Sequence, residues 1–128
     1  MHTPEPLLLS IVELGGYPNF APLYAQLGCR VMVENSMRKA LAAVKQHEPR
    51  VVVAEFNFQS DFRDRTSSLE SLMAVVQRLP ETRVIVFYEP EHAAQLGRLQ
   101  ARFPLFRVMA YPIVEASLAD NVRAALAG

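Results

Sequence analysis

The chain has 128 residues and a hydrophobic fraction of 51%, which fits a single globular domain with its own core. Its 13 basic residues balance its 13 acidic residues, so no net charge recruits nucleic acid or an anionic membrane. The one cysteine, Cys29, excludes an internal disulfide framework, and we interpret it as a small buried hydrophobe rather than a reactive thiol.

Residues 1–6 precede the first apolar run, and we expect them to form a disordered leader before a single domain at residues 7–128. That first run, residues 7–12, is far shorter than the roughly 20 apolar residues of a transmembrane helix. It also lacks the basic flank and the small-residue cleavage site of a signal peptide. The sequence therefore predicts a cytoplasmic protein without a membrane segment.

Five short apolar runs recur along the chain at fairly even spacing, and each is typical of a buried strand. They occupy residues 7–12, 31–33, 51–54, 84–87 and 106–110. The segment after each run carries apolar side chains at helical spacing. Five alternations of strand and helix predict a doubly wound α/β sheet.

Start and stop residues mark the predicted helices. Pro22 fits the first turn of the first helix, and Gly28 suits its C-terminus. Ser36 is an N-cap for the second helix, Pro49 closes that helix, and residues 67–70 form a capping-box pattern for the third. The apolar stripes of the five helices comprise Phe20, Leu23 and Leu27; Met37, Ala40, Leu41 and Val44; Leu69, Leu72, Met73, Val76 and Leu79; Leu96, Leu99 and Phe103; and Val114, Leu118, Val122 and Leu126.

A lone carboxylate, Glu55, directly follows the third apolar run. The small and β-branched residues of that run are typical of a central strand buried on both faces of a parallel sheet. In open α/β sheets, ligands and chemistry collect just outside the carboxyl ends of the strands. Glu55 therefore lies where a functional acid would be placed.

Two local motifs resemble those of a known family. Residues 55–58, Glu-Phe-Asn-Phe, are similar to the acid-apolar-Asn-apolar run that carries the phosphoacceptor aspartate of response-regulator receiver domains. Residues 109–112, Met-Ala-Tyr-Pro, are similar to the apolar-x-Lys-Pro ending of that family's fifth strand. The order and lengths of the segments over residues 7–126 extend the resemblance to nearly the whole chain. It implies a (βα)5 flavodoxin-like sandwich whose five-stranded parallel sheet has the strand order 2-1-3-4-5.

The chemistry of that family requires a set of groups at the strand ends. Two acids hold Mg²⁺, an aspartate accepts the phosphoryl group, and a hydroxyl and a lysine complete the site, because the metal and the lysine neutralise the phosphoryl oxygens. Carried over by position, these groups and their neighbours become Glu13, Leu14, Glu55, Asn57, Tyr88, Tyr111 and Pro112. One metal carboxylate, the hydroxyl and the lysine are missing, and the acceptor is one methylene longer.

The resemblance thus implies a degenerate pseudo-receiver that is neither phosphorylated nor an enzyme and that holds no metal or cofactor. We expect Glu55 to be hydrogen-bonded to the hydroxyl of Tyr88 or Tyr111. The alternative hypothesis is that Glu55 mimics a phosphorylated aspartate and thereby locks an active form.

With no DNA-binding element after the last helix, we expect output through a partner in bacterial signalling: a kinase, a cyclase or a regulator. Receivers commonly pair through the fourth helix, fifth strand and fifth helix, and the resemblance predicts a homodimer through this face. Its interface residues would be Arg98, Arg102, Arg107, Glu115 and Arg123. These opposite charges suit a two-fold interface and a solvated surface equally well.

Three further interpretations remain open. A sensor of a small, nucleotide-like ligand would use the crevice at the strand ends, lined by Tyr17, Tyr88 and Tyr111. The glycines at 15–16 indicate a tight turn more than a phosphate cradle, because the G-x-G-x-x-G spacing is absent. The loop at residues 59–66 is either a solvated surface loop or a docking loop beside the site.

Overall fold

The structure, a computed structural model, describes residues 5–57 and 68–127 of the chain. Within these residues five strands alternate with five α-helices, and a short 3-10 helix (Pro90–His92) precedes the fourth α-helix. The strands are β1 (Leu7–Ile11), β2 (Arg30–Glu34), β3 (Val51–Phe56), β4 (Arg83–Tyr88) and β5 (Arg107–Ala110). The helices are α1 (Ala21–Gln26), α2 (Met37–His47), α3 (Ser68–Val76), α4 (Ala93–Arg102) and α5 (Glu115–Ala127).

The five strands form one parallel sheet in the order β2-β1-β3-β4-β5. This is the (βα)5 flavodoxin-like arrangement, so the predicted fold class and strand order are confirmed. β1 and β3 are buried along their whole length, whereas β2 and β5 form the two edges and are partly exposed. The uninterrupted apolar runs of the sequence therefore belong to the strands that helices cover on both faces.

The sheet separates two apolar cores, as a doubly wound fold requires. Alternate residues of each central strand point to opposite sides, since side chains alternate along a strand. Leu9 and Val52 lie in the core beneath α2, α3 and α4, and Leu8 and Val53 lie in the core beneath α1 and α5. Burial on both faces fixes the register, because a one-residue slip would exchange the two sets.

The predicted helix ends are close to those observed. The hydroxyl of Ser36 accepts a hydrogen bond from Lys39 N at 3.2 Å, as an N-cap does, and Gly28 follows α1 at a φ of +94°. α1 has only six residues, the shortest of the described α-helices. α2 ends at His47, and the C-cap residue Glu48, directly before Pro49, adopts a left-handed φ of 46°.

Several sequence predictions fall on residues that the structure does not describe. These are most of the leader at 1–6, the Ser67 end of the capping box, and the loop at 59–66 with its Phe62. Pro6, at the end of the expected leader, is described, and its carbonyl accepts a hydrogen bond from Arg30 N at 2.9 Å. None of the helices in the described ranges is long and apolar enough to cross a membrane.

Candidate functional site

Glu55 lies at the carboxyl end of β3 with only 1% of its surface exposed. Its carboxylate accepts hydrogen bonds from three successive main-chain N–H groups of the loop that follows β1. Leu14 N donates to Oε1 at 2.9 Å, and Glu13 N and Gly15 N donate to Oε2 at 3.2 and 3.3 Å. Such a concave row of N–H groups stabilises an anion, so the buried charge is compensated without a cation.

Two side chains complete the shell around this carboxylate. The hydroxyl of Tyr17 donates to Glu55 Oε2 at 2.6 Å, and Asn57 Nδ2 donates to Glu55 Oε1 at 3.2 Å. The second acceptor of the Asn57 amide is Glu13 Oε1, at 3.5 Å. We call Glu55, Tyr17, Asn57 and the N–H groups of residues 13–15 the Glu55 cluster. With five donors, the cluster uses lone pairs of both carboxylate oxygens.

Tyr17 is held in place by aromatic packing. Its ring makes an edge contact with Phe87 of β4 at a centroid distance of 5.2 Å and stacks on Phe20 at 6.2 Å. It also stacks on Tyr111, which follows β5, at 5.9 Å. Burial, followed by the hydrogen bond to Glu55, raises the pKa of Tyr17 above its ordinary range. The phenol therefore stays protonated and remains a donor at neutral pH.

The loop after β1 turns toward Glu55 because two consecutive glycines permit it. Gly15 and Gly16 have φ angles of +70° and +85°, in the left-handed region where side chains with a Cβ are strained. This conformation lets Gly15 N join the two preceding N–H groups at one carboxylate and then brings Tyr17 back over the sheet. The interpretation of residues 15–16 as a tight turn is consistent with this geometry, and the anion held beside them is the protein's own carboxylate.

Solved structures with this architecture are known, although no protein-family model matches the sequence and a search of curated proteins finds no similar sequence. The chain is similar to a response regulator receiver domain protein from Clostridium thermocellum, with a TM-score of 0.76 and 16% identity over 95% of this chain and 94% of that one. It is similar to the signal receiver domain of a putative Luxo repressor protein from Vibrio parahaemolyticus, with a TM-score of 0.72 and 16% identity over 96% of this chain and 91% of that one. It is also similar to the signal receiver domain of an HD domain-containing protein from Pseudomonas fluorescens Pf-5. The TM-score is 0.74 and the identity is 15%, over 97% of this chain and 96% of that one.

This chain has the receiver-domain fold.

Within the receiver fold, the residues carried over by position lie around the ends of β1, β3, β4 and β5. The expected partner of Glu55 is wrong, however. Its phenolic donor is Tyr17, rather than Tyr88 or Tyr111. Tyr88 packs against the core beneath α3 and α4, whereas Tyr111 stacks on Tyr17. The sequence predicts Tyr17 only as part of a ligand crevice, because nothing in its local pattern shows that the preceding turn at Gly15 and Gly16 directs it at β3.

Glu13, Leu14 and Pro112 do not assemble the family's metal and phosphoryl chemistry. The Leu14 side chain is 76% exposed, and only its N–H reaches the site. The Glu13 carboxylate accepts a hydrogen bond from Asn57 Nδ2 at 3.5 Å. Among the described residues, no three His, Cys, Asp or Glu side chains lie together as a metal site. Since N–H groups occupy the Glu55 oxygens, the residues present do not fit the Mg²⁺ of phosphorylatable receivers.

The expected pairing face of α4, β5 and α5 carries exposed charges that have partners within the chain. Arg102 of α4 forms an ion pair with Glu70 of α3 at 3.1 Å, and Arg123 pairs with Asp120 one turn away at 3.2 Å. The Arg107 guanidinium lies 4.4 Å from the centroid of the Phe106 ring. The remaining expected interface residues, Arg98 and Glu115, are exposed. Self-pairing through this face stays a prediction.

A cleft of about 510 Å³ opens beside the Glu55 cluster, between the loop after β1 and the segment after β5. Tyr17 and Tyr111 contribute its aromatic wall, and Glu89 contributes its charged group. Tyr88, expected among the lining residues of a ligand crevice, is not part of the lining. Burial raises the pKa of Tyr111, so its phenol is a neutral hydrogen-bonding group in the cleft.

Proposed function

We propose that this chain is a receiver-fold module of two-component signalling that works without phosphorylation, by binding another signalling protein. The observation that carries the proposal is the occupation of the Glu55 carboxylate by five hydrogen-bond donors. The receiver fold supports the signalling context, and the chemistry of the strand ends supports independence from phosphoryl transfer.

Phosphoryl transfer to a carboxylate requires an accessible lone pair in line with the leaving group, with cations to neutralise the phosphoryl oxygens. Glu55 is almost fully buried, and its oxygens face the N–H groups of residues 13–15. An attacking geometry would break these bonds and leave buried donors unpaired, at a cost of about 1–3 kcal/mol each. Tyr111, where the family has a lysine, supplies no positive charge. The arrangement therefore disfavours the reaction at every step.

The same contacts support a constitutive conformation. In a switching receiver the acceptor changes its charge and its partners, whereas the Glu55 cluster already joins β3 to the loop after β1 in the absence of any modification. We infer that the surface around this loop is permanently available to a kinase, a cyclase or a regulator in the bacterial cytoplasm. The balanced charge of the chain argues against nucleic acid as that partner.

Incubation with acetyl phosphate and Mg²⁺, followed by intact-mass measurement, tests the proposal. No added phosphoryl mass is expected, while a receiver domain with the full acid, hydroxyl and lysine set serves as the positive control. A labile phosphoryl adduct on Glu55 of this protein would overturn the proposal. The Glu55→Asp variant is a sharper test, because a shorter acid without the lysine should also remain unmodified.

A second candidate function, a small-ligand sensor, is favoured by the cleft beside Tyr17 and Tyr111. Its volume of about 510 Å³ falls within the range of small-molecule sites, and Glu89 would favour a neutral or cationic ligand over a nucleotide polyphosphate. A ligand bound there would stabilise the native protein by mass action. A thermal-shift screen of nucleosides and other aromatic compounds should give a shift that Tyr111→Ala removes. An unshifted melting temperature across such compounds would argue against the sensor.

A further inference from the structure

The outer side of β2 is an unpaired sheet edge. In the sheet order, β2 has β1 on one side, and no strand among the described residues lies on the other. Arg30 N donates to Pro6 O at 2.9 Å, and Val12 N donates to Glu34 O at 2.9 Å. Both ends of β2 therefore direct their main-chain groups at β1.

The direction of the remaining main-chain groups follows from this pattern. In a parallel ladder the N–H and C=O of one residue point to the same side, and successive residues alternate. Because Arg30 and Glu34 face β1, Met32 does so as well, while Val31 and Val33 direct their N–H and C=O groups away from the sheet. The edge thus presents two donors and two acceptors, spaced as a strand presents them to a pairing partner.

β2 lacks most of the features by which proteins usually protect such an edge, and its charged residues, Arg30 and Glu34, stand only at its two ends. It contains no lysine and no proline, and its five residues pair one-to-one with β1, without a bulge. The side chain of Val33 is 48% exposed, which makes it one of the few exposed large hydrophobic residues in the described part of the chain. An unprotected edge of β-branched residues is a template for strand addition.

We propose that β2 pairs antiparallel with the β2 strand of a second copy of this chain, joining two sheets into one across a two-fold axis at Met32. In this register Val31 lies opposite Val33 of the second copy, and each such pair exchanges two main-chain hydrogen bonds. These are the two residues whose main-chain groups point outward, so the ladder geometry and the register agree. The pairing also covers the exposed Val33 side chain.

Charge complementarity identifies the second copy as the occupant. The same register places Arg30 opposite Glu34 of the second copy, twice, at the closely spaced positions where side chains interact most strongly. Within residues 5–57 and 68–127, neither side chain forms an ion pair that would compete with this pairing. A parallel arrangement would instead place both Arg30 residues at one end of the ladder and both Glu34 residues at the other, so no arginine would lie opposite a glutamate. The charges therefore select a closed two-fold pair over open-ended strand stacking.

The other sheet edge does not offer this complementarity. β5 carries Arg107 and no acidic residue, so two copies of β5 would bring no opposite charges together in either direction. Its arginine also packs on Phe106 within the chain. The proposed pairing surface is separate from the face of α4, β5 and α5, and the two surfaces can be distinguished by mutation.

Sedimentation equilibrium of the full chain over a range of concentrations tests the proposal. The native chain should form dimers, and Arg30→Glu and Glu34→Arg should each weaken association about tenfold or more, since each turns two attractive cross-strand pairs into repulsive ones. An equimolar mixture of these two single variants should form a heterodimer, because every cross-strand pair is then complementary. The double variant Arg30→Glu/Glu34→Arg should restore the homodimer.

Amide hydrogen exchange adds a readout at the edge itself. The amides of Val31 and Val33 should be protected in the native dimer and should exchange rapidly in Arg30→Glu. Arg102→Glu is the matched control, since it alters the α4–β5–α5 face and should leave the β2 dimer intact. A native chain that stays monomeric at millimolar concentration would overturn the proposal. The proposal would also be overturned if Arg102→Glu abolished the dimer while Arg30→Glu and Glu34→Arg left it unchanged.

Discussion

The phenol of Tyr17 and the carboxylate of Glu55 are joined by a 2.6 Å hydrogen bond between residues 38 positions apart in the chain. The bond links the loop after β1 to the end of β3 at the place where receivers perform phosphoryl transfer. Its length is typical of a hydroxyl that donates to a carboxylate, here a buried carboxylate paired with a half-buried phenol. This one contact connects the stability of the strand ends to the proposed absence of phosphorylation.

Replacing the Glu55 carboxylate with an amide should destabilise the protein. Glu55→Gln keeps the size of the side chain but turns one acceptor into an NH₂ donor that faces other N–H groups. We expect the free energy of unfolding to fall by about 2–4 kcal/mol, since hydrogen bonds to a charged group are lost and buried donors are left unpaired. Urea denaturation measures the change. Glu89→Gln, at an exposed position nearby, should change stability by less than about 0.5 kcal/mol.

Tyr17→Phe should lower stability and alter its dependence on alkaline pH. Loss of the hydroxyl should cost about 1–3 kcal/mol at neutral pH. The pKa of Tyr17 is raised in the folded state, so its contribution is fully present below the unfolded value of 10.0. Above that pH the unfolded chain releases the proton more readily than the folded chain, and stability declines. Between about pH 8 and 11, the melting temperature should fall less steeply with pH for Tyr17→Phe than for the native protein. Equal slopes for the two proteins would contradict this assignment.

The Cys29 thiol should be unreactive in the native protein. Only 3% of its surface is exposed, and burial raises the pKa of the thiol above its ordinary range. Since the thiolate is the reactive form, a chromogenic disulfide reagent should react only as fast as the chain opens. Reaction in denaturant should be immediate and should account for one thiol per chain. Rapid labelling without denaturant would identify a surface thiol instead.

Glu48→Gly should stabilise the protein. Glu48 follows α2 with a φ of 46°, a left-handed conformation that is strained for a residue with a Cβ and is usually taken by glycine at a helix end. We expect a gain of about 0.5–1 kcal/mol, measurable as an increased urea midpoint. Lys45→Gly is the control: inside the last turn of α2 the same replacement should cost about 1 kcal/mol. A loss at both positions would show that the left-handed strain at Glu48 is negligible.

The sequence was sufficient to predict the layers of this fold, because burial imposes a characteristic spacing of apolar residues on each strand and helix. The run at 51–54 is apolar throughout since β3 is covered on both faces, and the stripes of α2 and α4 follow from their one buried side. Element ends were less predictable. β2 begins and ends in charged residues, Arg30 and Glu34, which the apolar run could not include.

The strand-end site was predictable only in its position. The carboxyl ends of parallel strands meet at one edge, so the residues that follow them converge whatever their identity. The partner of Glu55 depends instead on the path of the loop after β1, and on how far a glutamate reaches compared with an aspartate. Two glycines in succession were the available signal for that path. They predict a turn, but they do not show which residue the turn places beside Glu55.

Three of the five donors to Glu55 belong to the main chain, and a main chain is the same whichever side chain a position carries. Mutations over evolutionary time can therefore replace Glu13 or Leu14 without removing these bonds. The sequence signature of this arrangement is a glutamate near the end of the third strand together with a tyrosine directly after a pair of glycines. Sequences with this arrangement can be recognised by those residues even when positions 13 and 14 carry other side chains.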